Sequence, residues 1–382
     1  MENIITNPES KLKAALIAPL DIQAEVSHSY ESSDRSGEYS GFESLDNIYT
    51  AKRGYPLFIY GAPHSGKSQI AMQMAVNWAD LHGWKGCVYL GENGSPEEVL
   101  LDLIEIHTGK RARKVTERGR EAAALLSEAE LANELAWAHE HFRIIDGNKA
   151  AELPIFDFSA FHEIVDTADM DFDFTILDPW NDLTRPGEMR DDIWLTEELK
   201  NARVVARRKD RVDVIINHVT KLSQDGKTQG GMPVSKPARP TEVAGGQTWF
   251  RRAFTMLLVY RPPADEVIDF SPFAQEDENG DSIGYKVGNG EVWVQCQKAK
   301  PRGSSKLGWA RMYFDVAQNR YYECDETGDN GRYTLGRSGE LERFYAGELK
   351  AHREKGPVKA PQSAPTPDSN SDIKPNQEFL NF

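Results

Sequence analysis

Cysteine is nearly absent. Cys87, Cys296 and Cys324 are the only three in 382 residues. They are too few and too scattered for a disulfide framework or a zinc ligand set, which suits a reducing compartment. No apolar run approaches the roughly 20 residues of a membrane-spanning helix. The opening Met1-Glu2-Asn3-Ile4-Ile5 lacks the basic start and long apolar stretch of a secretion signal, so a cytoplasmic protein without membrane contact is expected. Positive charge is also short: 45 Lys and Arg against 60 Asp and Glu leave a net −15. That argues against a surface coated for nucleic acid, although it leaves room for a local basic channel. Internal repeats are missing too. A hydrophobic share of 39% is enough for a core, in one large α/β domain or two smaller ones.

What is present is organised around Gly61-Ala62-Pro63-His64-Ser65-Gly66-Lys67-Ser68, the pattern G-x-x-x-x-G-K-S. The apolar run Leu57-Phe58-Ile59-Tyr60 before it reads as a buried strand, and Gln69 to Trp78 after it reads as a helix. Strand, glycine loop and helix N-terminus together make a phosphate cradle of backbone N–H groups at the positive end of a helix. In that geometry Lys67 reaches the β- and γ-phosphates of ATP and Ser68 holds Mg²⁺. A nucleoside triphosphate is the expected ligand.

Three further strands end in polar residues. Gly86-Cys87-Val88-Tyr89-Leu90 leads to Glu92, placed where a carboxylate orients and deprotonates the water that attacks the γ-phosphate. Phe174-Thr175-Ile176-Leu177 ends in Asp178, the carboxylate expected to hold the Mg²⁺ water shell. Val212 to Asn217 ends in His218, a contact for the γ-phosphate. Between them, residues 97–147 read as helices, with a basic stretch at Lys110, Arg111, Arg113 and Lys114 that is either a solvated face or a contact for nucleic acid or a neighbour. The polar stretch Lys221 to Ala244 is too long for an ordinary α/β connection and reads as a functional or disordered loop. Residues 262–290 read as an acidic surface loop between two edge strands, and Met312–Asp315 with Arg320–Glu323 as a last hairpin.

Ser40-Gly41-Phe42-Glu43-Ser44-Leu45-Asp46, then Arg53-Gly54, the phosphate loop, His82 to Asn93, Asp178-Pro179-Trp180-Asn181 and Asn217 to Lys221 resemble the RecA-like cores of replicative DNA helicases. The wording is closest to the phage and mitochondrial Twinkle-type helicases, over Ser40 to Tyr322. The resemblance implies an α/β fold: a RecA-like P-loop NTPase core whose mostly parallel central sheet is flanked by helices, with an antiparallel edge hairpin. It implies Glu92 as catalytic base and His218 as γ-phosphate sensor. It places Lys221, Lys227, Lys236 and Arg239 on a loop that holds single-stranded DNA in a central channel. Relatives carry a serine where Gly246 stands, so that hydroxyl role does not transfer. Their K-x-R pair, which reaches the neighbouring subunit's γ-phosphate, falls on Lys298 and Lys300 or on Lys300 and Arg302. The second register keeps a guanidinium for bidentate phosphate contact.

The expected organisation is a short N-terminal arm (1–39), the ATPase core (40–335), a C-terminal helix (336–355) and a disordered tail (356–382). The arm holds a short helix at Lys11–Ile17 and a polar linker over Ser27–Ser40; it is too short for a primase. The tail's apolar tip, Glu378 to Phe382, has the form of a docking peptide for a polymerase, primase or single-strand binding protein. The expected function is an ATP-dependent replicative DNA helicase of the phage type, a homo-oligomer expected to close as a hexameric ring. A strand-exchange recombinase and a DNA-independent regulatory or loading ATPase are the rivals.

Overall fold

The structure, a computed structural model, describes residues 16–31, 37–324 and 332–333, except 93, 113–124, 186, 188, 221–224, 275–277, 279, 281–283 and 317. Most of the expected Lys11–Ile17 helix, Lys221, the C-terminal helix and the tail with its apolar tip lie outside the described residues.

Strands are numbered along the chain. Six of them, β1 (Leu57–Gly61), β2 (Gly86–Leu90), β3 (Phe142–Ile145), β4 (Phe174–Asp178), β5 (Val212–His218) and β8 (Thr255–Tyr260), run parallel in the order β8-β1-β5-β4-β2-β3. Their sequences are near-continuous apolar runs, as a sheet covered on both faces requires. The side-chain period of two then sorts them. Leu57, Ile59, Val88, Leu90, Val214 and Ile216 enter one core, while Phe58, Tyr60, Cys87, Tyr89 and Ile215 enter the other. The helices Lys67–His82 and Pro96–Thr108 cover the first face through Ile70, Met74, Trp78, Val99 and Leu103. Phe158–Asp166 and Asp191–Lys209 cover the second through Phe158, Phe161, Leu195 and Leu199. The chain is therefore a three-layer α/β fold with a mostly parallel central sheet.

Antiparallel strands extend this sheet beyond β8: β11 (Glu291–Lys298), β12 (Gly308–Asp315), β13 (Arg320–Cys324) and β14 (Arg332–Tyr333). The expected last hairpin is β12–β13. The expectation that residues 262–290 join two edge strands is corrected, because β8 and β11 both lie inside the ten-stranded sheet. The segment itself is a hairpin of β9 (Val267–Ile268) and β10 (Tyr285–Lys286), rooted by fully buried Ile268 and Val287. The stretch after His218 is not a structureless loop either: β6 (Gly226–Lys227) and β7 (Pro233–Val234) form a second small hairpin. A helix at Gln23–Glu31 occupies part of the expected linker. Of the basic stretch, Lys110 pairs with Glu130, and Arg111 with Glu105 at 2.6 Å. Internal ion pairs thus account for both.

His107, in the last turn of the Pro96–Thr108 helix, lies 3.1 Å from Asp80 and 2.5 Å from Glu134 and stacks on Trp137 with ring centroids 3.8 Å apart. Burial disfavours its proton, but the two carboxylates override burial and raise its pKa from 6.5 to about 9. A proton bound more tightly in the folded state stabilises fully below the unfolded pKa, and that contribution is lost as pH rises through the folded one. His107→Gln is therefore expected to lower unfolding free energy by about 3 kcal/mol at pH 6 and by much less near pH 10. Urea unfolding at the two pH values checks this; a loss independent of pH would contradict it.

Candidate nucleotide site

Strand register brings the expected site residues together. Gly61, where β1 enters the loop, stands beside His218 at the end of β5, and Leu90 at the end of β2 stands beside Asp178 at the end of β4. Four adjacent carboxyl ends thus deliver the loop, His218, Asp178 and Glu92 to one edge of the sheet, where open parallel sheets place their ligands.

The loop has the backbone of a phosphate cradle. Gly66 precedes the Lys67–His82 helix with φ 94°, and His64 sits at φ 59°. A Cβ on Gly66 would clash with the Tyr321 hydroxyl, and one on Gly61 with the Val259 carbonyl, so both positions demand glycine. From β13, Tyr321 OH donates to Gly66 O at 3.4 Å, while Gln69 donates to Asn319 at 3.0 Å; together they brace the loop's helix. Lys67, only 4% exposed, donates from Nζ to Ala62 O at 2.8 Å. Burial lowers its pKa, and Asp178 and Glu92 oppose that fall.

Asp178 is buried and takes a hydrogen bond from Ser68. Burial raises its pKa to about 6, against the pull of Ser68 and Lys67. His218 Nε2 lies 3.4 Å from Glu92 Oε2, with Glu92 largely exposed. Burial, then the Lys67 charge, lowers the His218 pKa and favours the neutral ring, although Glu92 resists. Ser65 Oγ and Asn217 Nδ2 are buried without a hydrogen-bond partner among the described residues. Buried polar groups are rarely left unpaired, and a phosphate in the cradle would supply the missing acceptors. The residues therefore fit a nucleotide with Mg²⁺. No group of three or more His, Cys, Asp or Glu side chains that could hold a metal occurs among the described residues. Mg²⁺ carried by phosphates needs only one or two carboxylates and a hydroxyl.

Two residues of this edge escaped the sequence reading. Asp182 accepts from Tyr89 OH at 2.9 Å and packs so tightly on Gly91 that a Cβ there would clash. Asn217 holds the His218 N–H through Oδ1 at 2.7 Å. Asp182 lies within the Asp178–Asp182 segment, so strand-end position was the available signal; the Tyr321 brace had none. A cavity of about 460 Å³, lined by Tyr89, Gly91, Asn148, Phe156 and Asp182, opens beside Glu92. A larger one of about 610 Å³ lies away from this chemistry and is crossed by the ion pairs Arg53–Asp173 and Lys209–Asp166.

Lys300 and Arg302 are not at this edge. β11 runs antiparallel to β8 and places Lys298 beside Met256, at the amino end of the parallel strands. The Lys300 carbonyl accepts from Thr255 Oγ1 at 2.5 Å, fixing the turn there. β1 is five residues long, so at about 3.3 Å per residue the two edges stand roughly 16 Å apart. Lys298 donates to the Phe250 carbonyl and lies over its ring at 5.3 Å. Burial, then Lys300, lowers its pKa to about 8. That internal engagement separates it from exposed Lys300 and Arg302. Lys227, Lys236 and Arg239 are exposed on and after the β6–β7 hairpin.

Gly246 starts the helix Gly246–Arg252, and a Cβ there would lie 2.5 Å from the Thr241 carbonyl carbon and 2.6 Å from Pro240 O. The relatives' serine cannot be restored without moving backbone. Gly246→Ser is expected to destabilise by about 2 kcal/mol, read as a lower urea midpoint; unchanged stability would contradict the contact.

No protein-family model matches the sequence, and no curated protein matches it. Solved structures do match. A structure of an isolated ATPase domain, from a DnaB-like replicative helicase, aligns with TM-score 0.56 and 17% identity, covering 81% of this chain and 99% of that one. A second DnaB-like replicative helicase, solved in a study of its interactions with primase, aligns with TM-score 0.56 and 17% identity over 83% of this chain and 70% of that one. The chain has the RecA-like fold of DnaB-like replicative helicase ATPase domains.

Proposed function

We propose that this chain is an ATP-driven motor of the DnaB-like helicase type, translocating on single-stranded DNA and displacing its complement. The observation that carries the reading is the convergence of the phosphate loop, Asp178, Glu92 and His218 at four adjacent strand ends. The likeness in fold to helicase ATPase domains supports it.

The loop residues Gly61 to Ser68 wrap the phosphates, with backbone N–H groups and Lys67 countering their charge. Ser68 and Asp178 hold Mg²⁺, which supplies further charge neutralisation when bound. Glu92, exposed at the rim, takes the proton of the attacking water. Neutral His218 stands within reach of Glu92 and at the root of the β6–β7 hairpin, so the state of the γ-phosphate is passed to the segment carrying Lys227, Lys236 and Arg239 (and Lys221). Those cations neutralise the backbone of single-stranded DNA without reading bases. Lys300 and Arg302, on the far edge, serve the site of an adjacent copy, which requires head-to-tail packing and closes as a ring, a hexamer in this reading. The C-terminal tail is left to tether replication partners.

Unwinding of a forked DNA duplex tests the proposal. Strand displacement is expected with ATP and Mg²⁺, and none with a non-hydrolysable analogue or with Lys67→Ala. Vigorous ATP hydrolysis without displacement, on forks of either polarity, would overturn the helicase reading.

A further inference from the structure

The β6–β7 hairpin is fastened along its length. At its root, Val219 bridges Val243, and Thr220 N donates to Glu242 O at 3.0 Å. On one flank, Tyr260 OH donates to Ser235 O at 2.7 Å and Gln297 Nε2 to Ala238 O at 2.9 Å. On the other lies the acidic β9–β10 insertion. Gln229 N donates to Val267 O at 2.7 Å, and Thr228 forms an antiparallel bridge with Ile268. The Phe270 ring packs on Gly226, where a Cβ would come within 2.9 Å of it, and lies 5.9 Å from the Lys236 ammonium. The insertion is itself anchored: Phe273 and Tyr285 pack against Trp293 of β11 with centroids 5.5 and 5.9 Å apart.

We propose that the β9–β10 insertion is a latch that pairs with the β6–β7 hairpin and fixes Lys227 and Lys236 in position for a nucleic-acid phosphate backbone, with Phe270 as the main positioning residue. This rests on the motor reading above and deepens it, by naming what places the contacts. Backbone pairing at Thr228–Gln229 adds the hairpin to the insertion as an extra strand, the same hydrogen bonding by which sheets capture peptides. A hairpin held before binding loses little conformational freedom on binding, so the insertion acts on affinity and not on the chemistry of the site. Asp265 and Asp269 are exposed beside the pairing and Glu266 half-buried, and their charge keeps phosphates off the insertion side. The strand is thereby confined to the hairpin's open face.

The test uses the full chain, Phe270→Ala and Phe270→Tyr, with oligothymidylate as the probe. ATPase activity without DNA and at saturating DNA is expected to match wild type in both variants. The oligothymidylate concentration for half-maximal stimulation is expected to rise about 10-fold in Phe270→Ala and to recover in Phe270→Tyr, which keeps the ring. Hydrogen exchange at the Gln229 amide should be protected in wild type and faster in Phe270→Ala. An unprotected Gln229 amide in wild type, or an unchanged half-saturation in Phe270→Ala, would overturn the latch. Should wild type show no stimulation at all, the motor reading fails, and the exchange measurement still decides whether the hairpin is latched.

Discussion

Lys67→Ala is expected to leave the protein folded and to reduce ATP turnover by about 10³-fold or more. The residue sits at the only point where the loop, Asp178 and Glu92 share one cation among the described residues, and burial already lowers its pKa. Removing it costs little stability, because a buried ammonium is desolvated in the folded state. It also removes the charge that offsets Asp178, whose pKa burial has raised to about 6, so Asp178 should protonate more readily and hold Mg²⁺ less well near neutral pH. Turnover, nucleotide binding and the unfolding midpoint, measured together, check the claim. Retained hydrolysis would show that the loop does not serve the phosphates, and collapse of the fold would show that Lys67 is a structural residue.

The second large effect is expected from mixing two inactive variants. Arg302→Ala alone should lower turnover by about 10³-fold, the magnitude of a lost arginine contact to the transferring phosphoryl group. In the fold its backbone lies at the amino edge of the sheet, beside the start of β8, while the cradle lies at the carboxyl edge. One subunit cannot join the two; a head-to-tail neighbour can. Mixing Arg302→Ala with Lys67→Ala then creates interfaces with an intact cradle from the first and an intact arginine from the second. With random assembly these are roughly one interface in four, one half times one half. Partial recovery of ATPase activity is the expected result, and the same holds when Lys300→Ala replaces Arg302→Ala. A mixture as inactive as its components would place Arg302 outside the neighbour's site.

Much of this was readable in the sequence, for identifiable reasons. Parallel strands covered on both faces are runs such as Leu57–Tyr60 and Val212–Ile216, and the polar residue that ends each run is forced to the sheet edge. Asp178, Glu92 and His218 could therefore be placed before any coordinates. Glycine at positions 61 and 66 was legible from the motif, but the reason for Gly66, the Tyr321 hydroxyl from β13, depends on a contact spanning most of the chain. The antiparallel extension turned β8 and β11 into interior strands because β12, β13 and β14 add beyond them, and an alternating pattern does not reveal how many neighbours will follow. β6, β7, β9 and β10 are two residues each. Strands that short carry no periodicity, so a paired hairpin and its latch read as polar loop and acidic surface. Asp182 was hidden in plain view: its role comes from Tyr89 and Gly91, which only the pairing of β2 with β4 brings near it.

The most direct test of the central claim, a nucleic-acid-dependent ATP motor, is steady-state ATP hydrolysis by the wild-type chain with and without single-stranded DNA. Turnover is expected to rise severalfold or more on adding the strand, and to lose that rise as salt screens the phosphate contacts. Hydrolysis at the same rate with and without DNA, at low salt and saturating ATP, would contradict the account and point to an ATPase governed by a protein partner.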